Sequence, residues 1–217
     1  MTVLVLDNFA DADGTLLPSH VGDSGAGWSR RSDSDAAGDM IIVTSGHVFA
    51  SPDGKAEHVM TSIIPATADY TVEATISLFT GSARNQFTTI AGRFSSDGQT
   101  GYSIYLDMSA GTPGLWHLTK TTAGVASDLG TWNAVYSTPV TTVAQLVMTG
   151  TTIAANIDGV TQITTTDATY TSVGRASIGG FGVNGPDNEP LIIQFRLIGT
   201  SVSTAPVTYR TSSIRRR

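Results

Sequence analysis

The chain has 217 residues and a net charge of −6, and 14% of its residues are charged, against about 25% in ordinary soluble domains. It contains no cysteine, which excludes a disulfide framework, a thiolate metal site and a cysteine nucleophile. Four of its 12 basic residues lie in the last eight positions, so the rest of the chain is strongly acidic and unsuited to binding nucleic acid.

The first residues, MTVLVLDNF, contain a short apolar run with no basic region before it, which does not match a secretory signal. No later stretch approaches the roughly 18 apolar residues of a membrane span, so we expect no membrane insertion.

Short strand-like runs then recur about every ten residues, with turn sequences such as SSDG and GTPG between them. No helical period of 3.6 residues is sustained, so the pattern predicts an all-β antiparallel sandwich or jelly roll. The runs are DMIIVTSGHVF, EHVMTSII, DYTVEATISLF, TTIAGRFS, GYSIYLDM, GLWHLTKTT, AQLVMTG, TIAANIDG, VTQITT, RASIGGFGV and LIIQFRLIG.

The segment VMTGTTIAANIDGVTQITTTD, residues 147–167, shows this pattern most clearly. Ile153, Ala155 and Ile157 alternate with polar or small residues and therefore share one face of a strand. Gly150 and Gly159 stand where the alternation breaks, and glycine accepts the positive φ of a tight turn. The segment predicts a β-meander that serves as scaffold.

The last 18 residues, TSVSTAPVTYRTSSIRRR, are polar and basic and lack a second apolar face. We therefore assign residues 1–199 to one domain and residues 200–217 to an extended tail. The tail is either a solvated end or an arm that docks on a neighbouring subunit. The docking candidates are Tyr209, Arg210, Arg215, Arg216 and Arg217.

Several segments together resemble the concanavalin A-like lectin/glucanase superfamily, with its laminin-G-like jelly roll: YTVEATI, AGRFSSDGQTGYSIYLD, LWHLTK, LVMTGTTIAANIDGV and RASIGGFG. The resemblance covers roughly residues 3 to 199 and implies that the final strand, IIQFRLIG, pairs back near the first. The opening LDNFADADGTLLPSHVGDSGAGW is similar to the start of such domains in tailed-bacteriophage virion proteins, especially minor tail and decoration proteins. The fold hosts lectins, hydrolases and structural modules, so it implies no single function.

Glycanases of this fold carry two glutamates flanking an aspartate on one strand, whereas the only glutamates here, Glu57, Glu73 and Glu189, lie in separate segments. Relatives hold calcium through loop oxygens, and DADG at 11–14 or GPDNE at 185–189 could supply them. Such clusters are also ordinary turn chemistry. The sequence predicts no enzymatic activity and no cofactor, and leaves calcium open.

The family resemblance implies that a concave sheet and its rim bind sugar. On GYSIYLD, Tyr102, Ile104 and Leu106 share one face, which leaves Tyr105 and Asp107 on the other. Arg93 from the preceding strand and His117 from the next are expected to join them, with Trp132 and Asn133 in a loop at the rim. The glycan-binding candidates are Arg93, Tyr105, Asp107, His117, Trp132 and Asn133. The alternative for Trp132 is packing in the core or at an edge.

The sequence therefore predicts a non-enzymatic structural protein of a tailed-bacteriophage virion, a minor tail or tail-tip component with a face for host glycan. Its expected partners are other virion proteins and host surface polysaccharide, and it is expected to be made in the host cytoplasm and present in several copies. The alternatives are a capsid decoration or cement protein, a free carbohydrate-binding module, and a glycanase.

Overall fold

The computed structural model describes residues 1–30, 40–43, 46–49, 56–78, 87–108, 114–136, 139–181 and 190–200, and these residues form two antiparallel β-sheets. The eight-stranded sheet contains β1 (Thr2–Asp7), β3 (Ile41–Val43), β4 (His47–Phe49), β6 (Tyr70–Leu78), β11 (Val140–Thr149), β12 (Thr152–Ile157), β13 (Val160–Thr166) and β15 (Leu191–Gly199). The seven-stranded sheet contains β2 (Trp28–Arg30), β5 (Ala56–Thr61), β7 (Phe87–Phe94), β8 (Gly101–Asp107), β9 (Gly114–Thr122), β10 (Val125–Ala134) and β14 (Arg175–Phe181).

The order of strands is β13-β12-β11-β6-β15-β4-β3 in the first sheet and β10-β9-β8-β7-β14-β5-β2 in the second. β1 pairs with β15, with Thr2 opposite Gly199, so the predicted return of the last strand to the first is confirmed. A 3-10 turn at Leu17–Ser19 is the helical element of the described residues, none of which forms a helix long and apolar enough to cross a membrane.

The core lies between the two sheets and is built by side chains that alternate between the inner and outer faces of the strands. The eight-stranded sheet contributes the buried residues Val72, Ala74 and Ile76 of β6 to this core. The seven-stranded sheet contributes Ile104 and Leu106 of β8. Burial of each large aliphatic side chain contributes about 1.5–3 kcal/mol. The all-β sandwich predicted from the sequence is confirmed.

The meander at residues 147–167 forms as predicted. Ile153, Ala155 and Ile157 are buried, and β12 and β13 are joined by Asp158 and Gly159 at φ 51° and 78°. Positive φ at both central residues is the geometry of a type I′ hairpin turn. The Asp158 carboxylate also accepts from the Val143 amide at 2.8 Å, which fixes the turn against β11.

The segment between β1 and β2 is held by a buried carboxylate. Asp7 is 0% exposed and accepts from the Phe9 amide at 2.8 Å, from Trp28 Nε1 at 2.7 Å and from His20 Nε2 at 2.9 Å. The other nitrogen of His20, Nδ1, lies 2.6 Å from Asp11 Oδ2. The DADG cluster, considered above for calcium, thus contributes Asp11 to a structural ion pair, and GPDNE lies outside the described residues.

The C-terminal tail beyond Thr200, with Tyr209, Arg210, Arg215, Arg216 and Arg217, also lies outside the described residues. The domain boundary at residue 199 and the docking arm stay predictions.

Candidate functional site

The outer face of the seven-stranded sheet carries a line of aromatic rings. Tyr105 on β8 is paired with His117 on β9, and their rings stack with centroids 4.4 Å apart and planes 5° apart. Phe87 of β7 meets Tyr105 edge-on at 6.1 Å, and His58 of β5 stacks on Phe87 at 6.5 Å. These four residues, His58, Phe87, Tyr105 and His117, are called the aromatic track.

The aromatic track runs across the strands, from β5 to β9, so its length is set by the number of strands that it crosses. Between β5 and β7, β14 places Gly179 in register with His58 and Thr89, where the absence of a side chain keeps the face open. Four strand spacings separate β5 from β9, which is about 19 Å at about 4.8 Å each. This length exceeds one monosaccharide-sized ligand and suits an extended one.

His117 is oriented by a carboxylate on the edge strand. Its Nδ1 lies 3.1 Å from both oxygens of Asp128 on β10, so this nitrogen carries the proton in the neutral ring. A β-bulge between Asp128 and Gly130 lies beside this contact. Nε2 is then an acceptor, and it is buried with no hydrogen-bond partner. An unsatisfied buried acceptor costs about 1–3 kcal/mol, which a hydroxyl donor can recover if neighbouring side chains move to let it reach the nitrogen.

Tyr105 lies in the field of two carboxylates. Burial raises the pKa of its phenol to about 12, with further contributions from the charges of Asp128 and Asp107. The phenol is therefore neutral at physiological pH and can both donate and accept a hydrogen bond. The two carboxylates make this end of the track acidic, which disfavours anionic ligands.

Arg93 does not join this face, so the prediction for it is corrected. Gly92 and Arg93 lie in a β-bulge of β7 opposite β14, and Arg93 has φ 51°. This irregularity breaks the alternation on which the prediction rested. The side chain is 0% exposed, and it donates to the carbonyl oxygens of Ala68, Gly150 and Tyr170 at 2.8–3.0 Å and to Asp69 Oδ1 at 3.3 Å. Arg93 therefore joins loops of both sheets.

Trp132 and Asn133 belong to β10 and not to a loop, so that prediction is also corrected. Trp132 pairs with the buried Trp116 and packs partly buried against the core, as the alternative interpretation had it. Asn133 is exposed and aligned with Leu115 and Asp107 across the sheet. The structure thus brings together Tyr105, Asp107, His117 and Asn133.

Asp128, Phe87 and His58 were not predicted from the sequence. Phe87 and His58 stand next to turn-rich segments, and Asp128 lies in VASDLGTWNA, which has no regular alternation. Cross-strand pairing brings these residues to the track, and a single strand does not reveal that pairing. Apart from their residue types, the sequence therefore gives no indication that they belong to the site.

Glu73, a glutamate within the predicted strand YTVEATI, lies on the outer face of the other sheet. It accepts from Arg196 Nη1 at 2.8 Å and from Gln145 Nε2 at 2.7 Å. It is therefore part of a structural ion pair on the side of the sandwich away from the aromatic track.

No protein-family model matches the chain, and no curated protein matches it. Solved structures are similar to it in fold. The carbohydrate-binding module CBM66 from Bacillus subtilis aligns with a TM-score of 0.56 at 14% identity, over 80% of this chain and 93% of that one. The Bacillus licheniformis β-glucanase aligns at 0.58 and 13%, over 90% and 97%.

A third structure is the exoplasmic/lumenal domain of VIP36 in a form described as bound to Ca²⁺ and Man2. It aligns with a TM-score of 0.60 at 13% identity, over 93% of this chain and 92% of that one. The fold is the concanavalin A-like jelly roll. Because the aligned concanavalin A-like structures include binding proteins and a glucanase, activity has to be argued from the residues of this chain.

Proposed function

We propose that the protein binds carbohydrate, without cleaving it, along the aromatic track. The observation that carries the proposal is the parallel stack of Tyr105 on His117, continued by Phe87 and His58 across the sheet. His58, Phe87 and Tyr105 are partly exposed, so their rings offer apolar surface to the C–H groups of a sugar ring. Two aligned structures, the carbohydrate-binding module CBM66 from Bacillus subtilis and the Man2-bound form of VIP36, add support.

The polar groups of the site are suited to hydroxyls. Nε2 of His117 is buried and unpaired, so it can accept a hydrogen bond from a sugar hydroxyl once neighbouring side chains move aside, and the neutral phenol of Tyr105 donates or accepts one. A neutral glycan fits this combination better than a uronic acid or a sulfated polymer, because anionic groups meet like charge.

Binding without hydrolysis is favoured by what the carboxylates contact. A retaining glycosidase needs two carboxyl groups about 5 Å apart, one of them held protonated. On the described part of this face, Asp128 is committed to the imidazole of His117. Glu73 is bonded to Arg196 and Gln145 on the opposite sheet.

The setting that we propose is the virion of a tailed bacteriophage, as a minor tail component. Its support is the resemblance of the opening segment, LDNFADADGTLLPSHVGDSGAGW, to the start of such domains in virion proteins. A head decoration protein is the second candidate, in which the same cluster of four arginines in the last eight residues would anchor the chain to capsid subunits. The test is co-sedimentation of the full chain and residues 1–199 with host cells, and separately with particles lacking this protein.

The experiment that tests glycan binding is affinity electrophoresis through gels containing α-mannan, β-glucan or other neutral polysaccharides. Tyr105→Ala should reduce retardation by the polysaccharide that slows the wild type, with a loss of about 1 kcal/mol or more. Tyr105→Phe is the matched control, because it keeps the ring and removes the hydroxyl. Equal migration of the wild type and Tyr105→Ala in every gel would refute the proposal.

A further inference from the structure

The outer face of the eight-stranded sheet carries five polar side chains bonded to one another across five neighbouring strands. Arg196 and Gln145 both donate to Glu73, Asn156 Nδ2 donates to Gln145 Oε1 at 3.3 Å, and Thr161 Oγ1 donates to Asn156 Oδ1 at 2.8 Å. The residues of this polar row are Arg196 on β15, Glu73 on β6, Gln145 on β11, Asn156 on β12 and Thr161 on β13. Because the residues of the row pair many of their polar groups with one another, covering the row leaves fewer polar groups to be satisfied by the partner.

Aliphatic side chains flank the polar row. On β11, Val143 and Val147 lie two residues to either side of Gln145. On β15, Ile198 is paired with Val3 of β1, and Val3 is 42% exposed. On the strands of this face that the structure describes, the outward charges are Arg196 and Glu73, which neutralise each other. Depletion of free charge is typical of the centre of a protein interface.

We propose that this face is an interface between two copies of the chain. Charge favours a second copy as the occupant, because a protein of net charge −6 meets the least repulsion from its own copy at a face whose charges compensate each other. Here the polar row and the valines provide such a face, while the opposite sheet presents Asp107 and Asp128 at the aromatic track.

The direction of the polar row fixes the symmetry. A twofold axis along β11 places the donor-rich Arg196 of one copy over the Thr161 hydroxyl of the other, and Glu73 over the Asn156 amide. Val143, Gln145 and Val147 each meet their own copy on the axis. An axis across the strands would instead place Arg196 over Arg196, which is repulsive. An isologous contact with the axis along β11 is therefore self-complementary.

The area of the face is adequate for a stable dimer. The five strands from β13 to β15, which the axis along β11 places over one another, are each about 4.8 Å wide and together about 24 Å wide, and they are six to ten residues long, on average about 27 Å. The face therefore measures about 650 Å², at the lower end of the roughly 600–1,000 Å² that each partner buries in a standard interface.

The experiment uses the absence of cysteine from the chain. Val147→Cys places a single thiol on the axis, and a bismaleimide that spans about 10 Å, the spacing of packed sheets, should link it to its copy. Val125→Cys, at a 70% exposed position on β10 of the other sheet, is the matched control and should stay unlinked. Sedimentation equilibrium of the wild type should give twice the 22.6 kDa of the chain.

A second pair of variants tests the same face without a cross-linker. Val147→Lys brings two ammonium groups together on the axis and should raise the dimer dissociation constant at least tenfold, whereas Val125→Lys should leave it unchanged. Thermal melting checks that both variants fold. A wild type that stays monomeric up to about 100 µM, or a dimer in which the Val147→Cys variant is linked no faster than the Val125→Cys control, would overturn the proposal.

Discussion

His20 is buried beside Asp7, with Nε2 2.9 Å from the carboxylate, while its Nδ1 lies 2.6 Å from Asp11. Two carboxylates can both be satisfied only if both ring nitrogens carry protons, so the geometry requires the imidazolium form. Burial acts to lower the pKa of His20, but the hydrogen bonds to Asp11 and Asp7 and their charges outweigh it, and the pKa is raised above 6.5.

This raised pKa predicts how stability depends on pH. Because the folded pKa lies above the unfolded one, the contribution of His20 is complete below about pH 6.5 and is lost as the pH rises through the folded value. His20→Gln removes the titration. We expect the difference in melting temperature between wild type and His20→Gln to shrink as the pH rises from about 6 to about 9. A difference that stays constant over this range would contradict the assignment.

Asp7→Asn tests the buried carboxylate itself. The asparagine amide would place its N–H groups among three donors, the Phe9 amide, Trp28 Nε1 and His20 Nε2. The buried His20 cation would keep one carboxylate partner, Asp11. We expect the free energy of unfolding to fall by about 3–5 kcal/mol in urea titrations. Asp23→Asn is the control, because Asp23 accepts from the amide and side chain of Asn8 at the surface and should cost about 1 kcal/mol or less. Similar losses in both variants would argue against a special role for Asp7.

Arg93→Lys separates a structural role from a binding role. Lysine cannot reproduce the planar fork that reaches the acceptors on Ala68, Gly150, Tyr170 and Asp69. We expect unfolding in urea to show a loss of about 2–4 kcal/mol. Affinity for the retained polysaccharide should be unchanged below the melting temperature. If Arg93→Lys loses affinity for the polysaccharide but keeps its stability, Arg93 has a binding role and not a structural one.

Sequence patterns located the fold where alternation is unbroken. Tyr102, Ile104 and Leu106 are buried and Tyr105 faces outward, because β8 has neither a bulge nor a kink. The hairpin at Asp158 and Gly159 was equally predictable, since the turn residues and the flanking alternation agree. In such segments local propensity and tertiary packing favour the same structure.

The sequence could not place residues whose position depends on a bulge or on distant partners. The bulge that contains Arg93 has no clear local signal, and β10 escaped detection because its exposed edge lacks apolar alternation. The ion pair of Asp7 with His20 joins residues 13 positions apart through a loop rich in turn residues. Asp128 reaches His117 only through cross-strand pairing, so the orienting carboxylate of the site was missed.

Asp128→Ala tests whether orientation of His117 matters for binding. Without the carboxylate, Nδ1 loses the partner that keeps its proton in place, so Nε2 is no longer reserved as an acceptor for a sugar hydroxyl. We expect affinity for the retained polysaccharide to fall about tenfold, or about 1.4 kcal/mol, by isothermal titration calorimetry. Asp107→Ala removes a carboxylate from the same face and controls for the loss of charge. If both variants lose affinity equally, the acidity of the face, and not the orientation of the imidazole, supports binding.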